Sequence, residues 1–234
     1  MTSVFTVAVA LSVVVLGGCS GLTTRDTETV SYLLRPPAMS VPGTGVAVPG
    51  AAAAVSGPAE ALSSASLQVV RVVAQPGYSG DRLLLLGDDR SLGFFAASRW
   101  VDVLPAVVGT LAVEALRGTG RLRAVHDENA PFSADYTLRL TIRRFDAEYP
   151  QKGRPPRVTV GFEAAVGRRT DRSTVASFVV ESQANASDDR LRDVVAAFEQ
   201  ASQQALADLV RRALAALEAE AAAAPVVVGE RPVA

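Results

Sequence analysis

Alternating apolar and polar residues predict a half-buried strand in the second half of the chain. In residues 136–143, Tyr, Leu, Leu and Ile occupy the even positions, whereas Thr and Arg occupy the odd ones. A period of two places one set of side chains on each face of a strand. The alternation reverses at Arg144 and Phe145, and we interpret this reversal as a β-bulge or as the exit of the strand from the core.

Further segments with strand character flank this one. Residues 157–167 alternate in the same way, and residues 173–182 are rich in strand-forming side chains. The loop 149–157 is short enough to join the first two strands as a hairpin, and such short connections favour antiparallel pairing. Shorter strands are predicted upstream at 67–74 and 83–87. The inward residues of the second long strand are predicted to be Val158, Val160, Phe162, Ala164 and Val166.

Apolar residues at helical spacing predict a first helix in the middle of the chain. It begins between Ser98 and Pro105, because proline fits the first turn of a helix but disrupts its interior. Gly118 and Gly120 are its stop signals. Its predicted core face consists of Leu104, Val107, Val108, Leu111, Ala115 and Leu116.

A longer apolar stripe predicts a second helix near the C-terminus. We interpret Ser187 as its N-cap, with Asp188 and Asp189 placed where the helix dipole favours acids. The two helices and the strands predict an α+β fold, a two-layer sandwich. It contains a mixed, mostly antiparallel sheet of at least four strands, with two helices packed on one face. The predicted stripe contains Leu191, Val194, Val195, Phe198, Ala205, Leu206, Leu209, Val210, Ala213, Leu214 and Leu217.

The first residues of the chain predict an exported lipoprotein. The apolar run Val4–Leu16 is shorter than the roughly 20 residues of a membrane span, and its length is typical of a secretory signal. The residues Leu16 to Cys19 resemble a bacterial lipobox, in which the cysteine thiol receives a diacylglyceryl group. Met1–Thr6 lacks the Lys and Arg of most signal peptides. The alternative is a membrane helix with an incidental cysteine, but the apolar run ends in glycines and a polar stretch without the basic flank of such a helix. Ser20 favours sorting to the outer membrane.

The domain organisation follows from where low complexity ends. We expect a signal peptide at 1–18 and a folded domain at 67–217, followed by a disordered tail at 218–234. Residues 19–66 would contain the lipid anchor, a strand-like patch at Ser31–Leu34 and a tether rich in Pro, Ala and Gly.

Composition and candidate chemistry favour a binding protein over an enzyme. The 23 basic and 24 acidic residues give a net charge of −1, which argues against electrostatic binding of nucleic acid. His126 is the single histidine, and we interpret it as a loop residue at the end of a strand. The sequence therefore predicts no catalytic residues, no cofactor and no metal.

Two aromatic residues are candidates for partner binding. Trp100 stands at the junction of a strand and the first helix, where a core position is the first interpretation and the flank of a partner groove is the second. Tyr32, in the strand-like patch, is the other candidate. The basic loop with Lys152, Arg154 and Arg157 could touch lipid headgroups or an acidic partner, but we interpret it first as a solvated hairpin tip.

Four stretches together resemble the ABC-type transport auxiliary lipoproteins, the paraquat-inducible protein C-like components of mammalian-cell-entry lipid transport systems. They are VAQPGYSGDRLLLL, SRWVDVLP, DYTLRLTIRRFDA and VVAAFEQASQQALADLVRRAL. The resemblance covers Ser31–Leu34 and Leu67–Leu217. The Pro/Ala/Gly-rich insertion departs from the pattern of the family.

The resemblance implies a non-catalytic lipoprotein, usually of the outer membrane and facing the periplasm. It implies as partners a mammalian-cell-entry domain protein with its permease and ATPase, which move phospholipid or another hydrophobic molecule, and it leaves a homo-oligomer open. Two alternatives come from other classes. One is a structural or assembly lipoprotein of the envelope that binds protein or glycan, and the other is a periplasmic enzyme.

Overall fold

Nine strands form one mixed sheet in the computed structural model, which describes residues 28–39, 62–87, 89–149 and 153–223. Helices α1 and α2 pack against the sheet and against each other. This arrangement confirms the predicted α+β sandwich. The strands are β1 Val30–Tyr32, β2 Ser66–Val69, β3 Val73–Ala74, β4 Arg82–Leu86, β5 Leu92–Trp100, β6 Ala124–His126, β7 Tyr136–Glu148, β8 Arg157–Arg168 and β9 Thr174–Asn185; the helices are α1 Leu104–Gly118 and α2 Leu191–Ala223.

The sheet is organised around β7. One edge of β7 pairs antiparallel with β8 over the whole strand, and β8 pairs in turn with β9. The other edge pairs in succession with β2, β3 and β4, all parallel. Beyond them, β6 extends the sheet from β2, and β5 and β1 extend it from β4. The longest pairings are antiparallel, as the hairpin loop predicted.

Burial along β7 and β8 follows the predicted period. Leu138, Leu140 and Ile142 are fully buried, and the pairing with β8 shifts register between Ile142 and Arg144. This shift confirms the predicted β-bulge, after which Phe145 and Ala147 continue the core-facing row. The five inward residues predicted for β8 are also fully buried. The sheet can therefore present one continuous apolar layer to the helices.

Helix α1 matches its prediction in both position and buried face. It begins at Leu104, with Pro105 in the first turn, and ends at Gly118. Gly120 follows with a φ of 60°, a left-handed conformation that glycine adopts without steric cost. All six residues of the predicted core face are buried.

Helix α2 differs from its prediction at both ends. Ser187 is not the N-cap, because the helix begins at Leu191 and the Ser187 hydroxyl donates to the Asp193 carboxylate at 2.9 Å. The helix also continues to Ala223, so residues 218–223 do not belong to a disordered tail. Ion pairs of Arg121 with Glu218 and of Arg168 with Glu220 hold these last turns against the rest of the domain. Residues 224–234 lie outside the described residues.

The predicted strand 67–74 is interrupted. It forms β2 and β3, which pair with different parts of β7 and are separated by residues 70–72. Val72 in this link is buried, and its side chain lies in the core close to Gly109 of α1. The interruption therefore turns an apolar side chain toward the helix instead of leaving it on the outer face.

The residues before the first long strands also pack on the domain. β1 joins the edge of the sheet beside β5, Leu34 is buried, and Met39 lies against Gly118. Leu62 is buried at the other end of the low-complexity segment. Two parts of the region predicted as anchor and tether, residues 28–39 and 62–66, are thus built into the domain. Residues 40–61 lie outside the described residues.

A buried carboxylate fastens the loop between β3 and β4 to the sheet. Asp146 is fully buried, and because Phe145 and Ala147 point into the core, it points to the opposite face. The Tyr78 hydroxyl donates to Asp146 Oδ1 at 2.7 Å, and Arg144 Nη2 donates to Oδ2 at 2.7 Å. Burial raises the pKa of Tyr78 above its usual range, and the hydrogen bond to Asp146 raises it further.

Replacing Tyr78 by Phe should therefore destabilise the domain. A hydrogen bond to a charged group contributes about 1.5–3 kcal/mol, and its loss leaves Asp146 buried with one donor fewer. Urea unfolding would measure the change. Tyr149→Phe is the matched control, because the Tyr149 hydroxyl donates to the exposed Asp189 and its loss should cost less than about 1 kcal/mol.

The difference between wild type and Tyr78→Phe should also depend on pH. Because the pKa of Tyr78 is higher in the folded protein than its unfolded value of about 10, the bond stabilises the fold fully below pH 10 or so. This contribution should decline as the pH rises further. An equal loss of unfolding free energy in Tyr78→Phe and Tyr149→Phe would contradict the role of Tyr78 in holding the β3–β4 loop on the sheet.

Candidate functional site

Trp100 lies in the core of the domain, at the end of β5. Its ring meets Phe145 edge-on at a centroid distance of 5.7 Å and Phe198 of α2 at 5.3 Å. Phe145 and Phe198 stack on each other at 5.4 Å. The Trp100 side chain is only 1% exposed, so a partner cannot reach the indole in this conformation. The core interpretation of Trp100 is therefore supported over the interpretation that it binds a partner.

Tyr32 lies beside Trp100 but is only half-buried. The two residues are register partners in the parallel pair β1 and β5, and the Val101 N–H donates to the Tyr32 carbonyl at 3.0 Å. The structure thus brings the two predicted residues together. Exposed apolar side chains follow them in sequence: Leu33 is 70% exposed and Val101 is 58% exposed.

These exposed residues were missed by the sequence analysis. Together with Val103 they form a patch that we call the apolar rim, defined as Leu33, Val101 and Val103. Val101 and Val103 follow the end of β5, in a bend where all three residues from Val101 to Val103 are exposed, so no strand period in the sequence predicted them.

A cleft of about 320 Å³ runs along α1. We call it the α1 cleft. It lies between α1, the link from β2 to β3, and the turn at residues 127–129. Its apolar floor contains Val69, Val72 and Val113, which are all buried. Gly109 belongs to its lining, where an added Cβ would lie 3.5 Å from Val72 Cγ2.

Charged side chains border the α1 cleft. Arg71 Nε pairs with Glu128 Oε2 at 3.2 Å across the turn. Arg117 donates two hydrogen bonds to the Val125 carbonyl, at 3.0 and 2.9 Å, and so ties the end of α1 to β6. An apolar floor with a few polar groups at its border is typical of a site for a ligand with an apolar body.

His126 occupies the last position of β6, where the sequence placed it at the end of a strand. Its ring lies 5.6 Å from that of Phe132.

Cys19, the predicted lipidation site, lies outside the described residues. Among the residues that are described, no group of three His, Cys, Asp or Glu side chains is arranged to hold a metal ion.

The paired acids have structural partners. Asp89 accepts hydrogen bonds from the hydroxyl and the N–H of Ser91. The bond from the hydroxyl lowers the pKa of Asp89 most, and the bond from the N–H lowers it further. Asp188 accepts the N–H of Asp189 at 2.8 Å. Asp88 lies outside the described residues. These contacts are those of turns.

The basic hairpin tip is only partly described. Arg154 is exposed, whereas Arg157 pairs with Glu148 at 2.5 Å. Lys152 lies outside the described residues.

Although α2 is 33 residues long, no helix in the described ranges has the apolar stretch that a bilayer crossing requires.

Comparison with known proteins identifies relatives of the domain. A family model described as the ABC-type transport auxiliary lipoprotein component matches residues 47–210. The crystal structure of protein XCC0632 from Xanthomonas campestris superposes with a TM-score of 0.67 at 21% identity, covering 82% of this chain and 99% of that one. An uncharacterized protein superposes with a TM-score of 0.56 at 14% identity, covering 79% and 98%. No curated protein matches the chain.

Trp100→Ala tests the core position of the indole. Removing a buried tryptophan costs about 3–5 kcal/mol, because the cavity left between Phe145 and Phe198 cannot close fully. Phe132→Ala is the control, since Phe132 is 65% exposed and its loss should change the free energy of unfolding by less than about 0.5 kcal/mol. A Trp100→Ala protein that unfolds like wild type but has lost function would return Trp100 to the partner-contact interpretation.

Proposed function

Because the chain belongs to the family of ABC-type transport auxiliary lipoproteins, we propose that it serves a transport system that moves phospholipid or another hydrophobic molecule. In this proposal the domain faces the periplasm from the outer membrane, where acyl chains on Cys19 hold it. The domain binds the transported molecule and couples its transfer to a partner protein, and it does not act as an enzyme. Its partners are a mammalian-cell-entry domain protein, a permease and an ATPase, and self-association stays a prediction.

The α1 cleft is the observation that carries the binding part of this proposal. Its floor is apolar, and its border has two basic residues, Arg71 and Arg117, and three acidic ones, Glu114, Asp127 and Glu128. A border with one more acidic than basic residue disfavours an anionic ligand, so we expect an uncharged or zwitterionic one. Its volume of about 320 Å³ lies at the lower end of the usual range for ligand sites, so one apolar chain fits better than a whole lipid.

The apolar rim supports the coupling part of the proposal. Val103 lies two residues before Pro105, which lines the α1 cleft. The rim and the cleft therefore flank the N-terminal end of α1. An exposed apolar patch next to a ligand cleft is the arrangement expected of a protein that receives a hydrophobic molecule from a partner or passes one on.

Filling the α1 cleft should weaken binding of an apolar ligand. Ala106 is an exposed residue of α1 that lines the cleft, so Ala106→Trp should occupy it without disturbing the core. We expect the affinity for a fluorescent lysophosphatidylcholine, a zwitterionic lipid with one acyl chain, to fall by roughly tenfold, about 1.4 kcal/mol. Ala215→Trp, at an exposed alanine of α2, is the matched control.

Equal affinity in the two Ala→Trp variants would remove the α1 cleft from the proposal. Affinity capture of the lipidated protein from membranes then separates the remaining classes. Recovery of a permease and an ATPase supports the transport role. Recovery of envelope structural proteins without either would favour the assembly lipoprotein.

Cys19→Ser tests the anchor. Each buried methylene adds roughly 0.8 kcal/mol of membrane affinity, so two or more acyl chains suffice for stable anchoring. The wild-type protein should incorporate a fatty-acid probe and fractionate with the outer membrane, whereas Cys19→Ser should incorporate none. A wild-type protein that carries no lipid and retains residues 1–18 would contradict this part of the proposal.

A further inference from the structure

We infer that the end of the sheet where β4 and β7 finish faces the lipid bilayer, and that Phe94 and Leu92 enter its headgroup layer. This inference rests on the proposed lipid anchor at Cys19. We call this part of the domain the anchor-proximal end, defined by Leu86 at the end of β4, Leu92 at the start of β5 and Glu148 at the end of β7.

The chain between the anchor and the domain is short. Tyr32 packs against the core and Leu34 is buried in it, and the described residues begin at Glu28. Nine Cα–Cα steps separate Cys19 from Glu28, and at 3.3–3.6 Å per residue they span at most about 32 Å in any conformation. Segment 40–61 adds nothing to this length, because the packed residues Met39 and Leu62 bound it on both sides.

Strand directions show which end of the sheet this short connection leads to. β1 runs parallel to β5 and pairs with its last three residues, Val30 with Ser98, so the chain just before Val30 lies on the side that leads back along β5 toward Leu92. β4 is antiparallel to β5 and places Leu86 opposite Leu92, and Leu86 is also the register partner of Glu148 at the end of β7. Residues 28 and 29, the first described residues, thus lie on the side of β1 that leads toward the anchor-proximal end.

The surface on this side is suited to a membrane interface. Phe94 is 52% exposed, and the Arg82 guanidinium lies over its ring, 4.8 Å from the centroid. Leu92 and Val30 are also exposed. Aromatic rings and arginines with apolar stems are the side chains that occupy the level of lipid headgroups.

One shallow depression connects the entry of the chain with this apolar surface. It is lined by Thr29 at the start of β1 and by Arg82, the residue that covers Phe94. The neighbouring charges are mixed, because Arg82, Arg90 and Arg99 occur among Glu28, Asp81 and Asp89. The contact should therefore be apolar and should form on zwitterionic lipid, without a requirement for anionic headgroups.

The opposite end of the sheet provides an internal control. Phe132 precedes the start of β7 and is 65% exposed. The 13 residues of β7 separate the two ends by about 40 Å at the usual rise of a strand. In the inferred orientation, Phe132 points away from the bilayer.

Fluorescence quenching tests this orientation. The chain has one cysteine, and lipidation occupies its thiol, so an introduced cysteine is a unique labelling site in the anchored protein. Phe94→Cys, Leu92→Cys and Phe132→Cys would each carry an environment-sensitive fluorophore on the full lipidated chain in phosphatidylcholine vesicles. Lipid-borne nitroxides should remove most of the fluorescence at positions 94 and 92 and little at 132. Leu92→Cys keeps the Phe94 ring in place.

The outcomes separate the inference from the anchor on which it rests. Protein that floats with the vesicles but is quenched at none of the positions, or only at 132, overturns the orientation and leaves the anchor intact. Protein that does not float, and whose Cys19 thiol reacts with the label, overturns the anchor and the inference with it. Quenching at 92 and 94 that persists without anionic lipid supports the apolar contact.

Discussion

The fold depends on the hydrogen bonding of β7 along both of its edges. β8 occupies one edge for the whole length of the strand, and three short parallel strands share the other. A strand paired on both sides has its backbone groups satisfied, so its side chains alone determine what each face can contact. The β-bulge after Ile142 keeps core-facing residues on the helix side to the end of the strand. As a result one layer supports both helices and the cluster of Trp100, Phe145 and Phe198.

Much of this arrangement could be predicted from local sequence, because the periods of strands and helices are local properties. The buried faces of β7, β8 and α1 follow directly from their apolar spacing. Features that depend on distant residues could not be predicted. β1 joins β5, and the last turns of α2 persist because Glu218 and Glu220 meet arginines from other elements. No spacing within a segment encodes such a partner.

In the candidate site too, features set by local sequence could be predicted and features set by distant residues could not. The burial of Trp100 was the first interpretation from its place at a strand–helix junction, and the structure agrees. The α1 cleft was not predicted, because its walls come from a helix, an interrupted strand and a turn that are separated in sequence. The interruption between β2 and β3 is itself a consequence of packing, since Val72 gains a buried position by leaving the strand. Sequence alternation alone favoured one continuous strand there.

The position of the low-complexity segment changes how the anchored domain would move. A long tether before the domain would let it sample positions far from the membrane, since the reach of a flexible chain grows with the square root of its length. The packing of Tyr32 and Leu34 places the domain within a short connection of Cys19, with segment 40–61 bounded on both sides by packed residues. For an acylated Cys19, this geometry keeps Glu28 within about 32 Å of the bilayer surface. The α1 cleft and the apolar rim would then stay near the membrane, which suits the proposed role of passing a hydrophobic molecule to or from a partner.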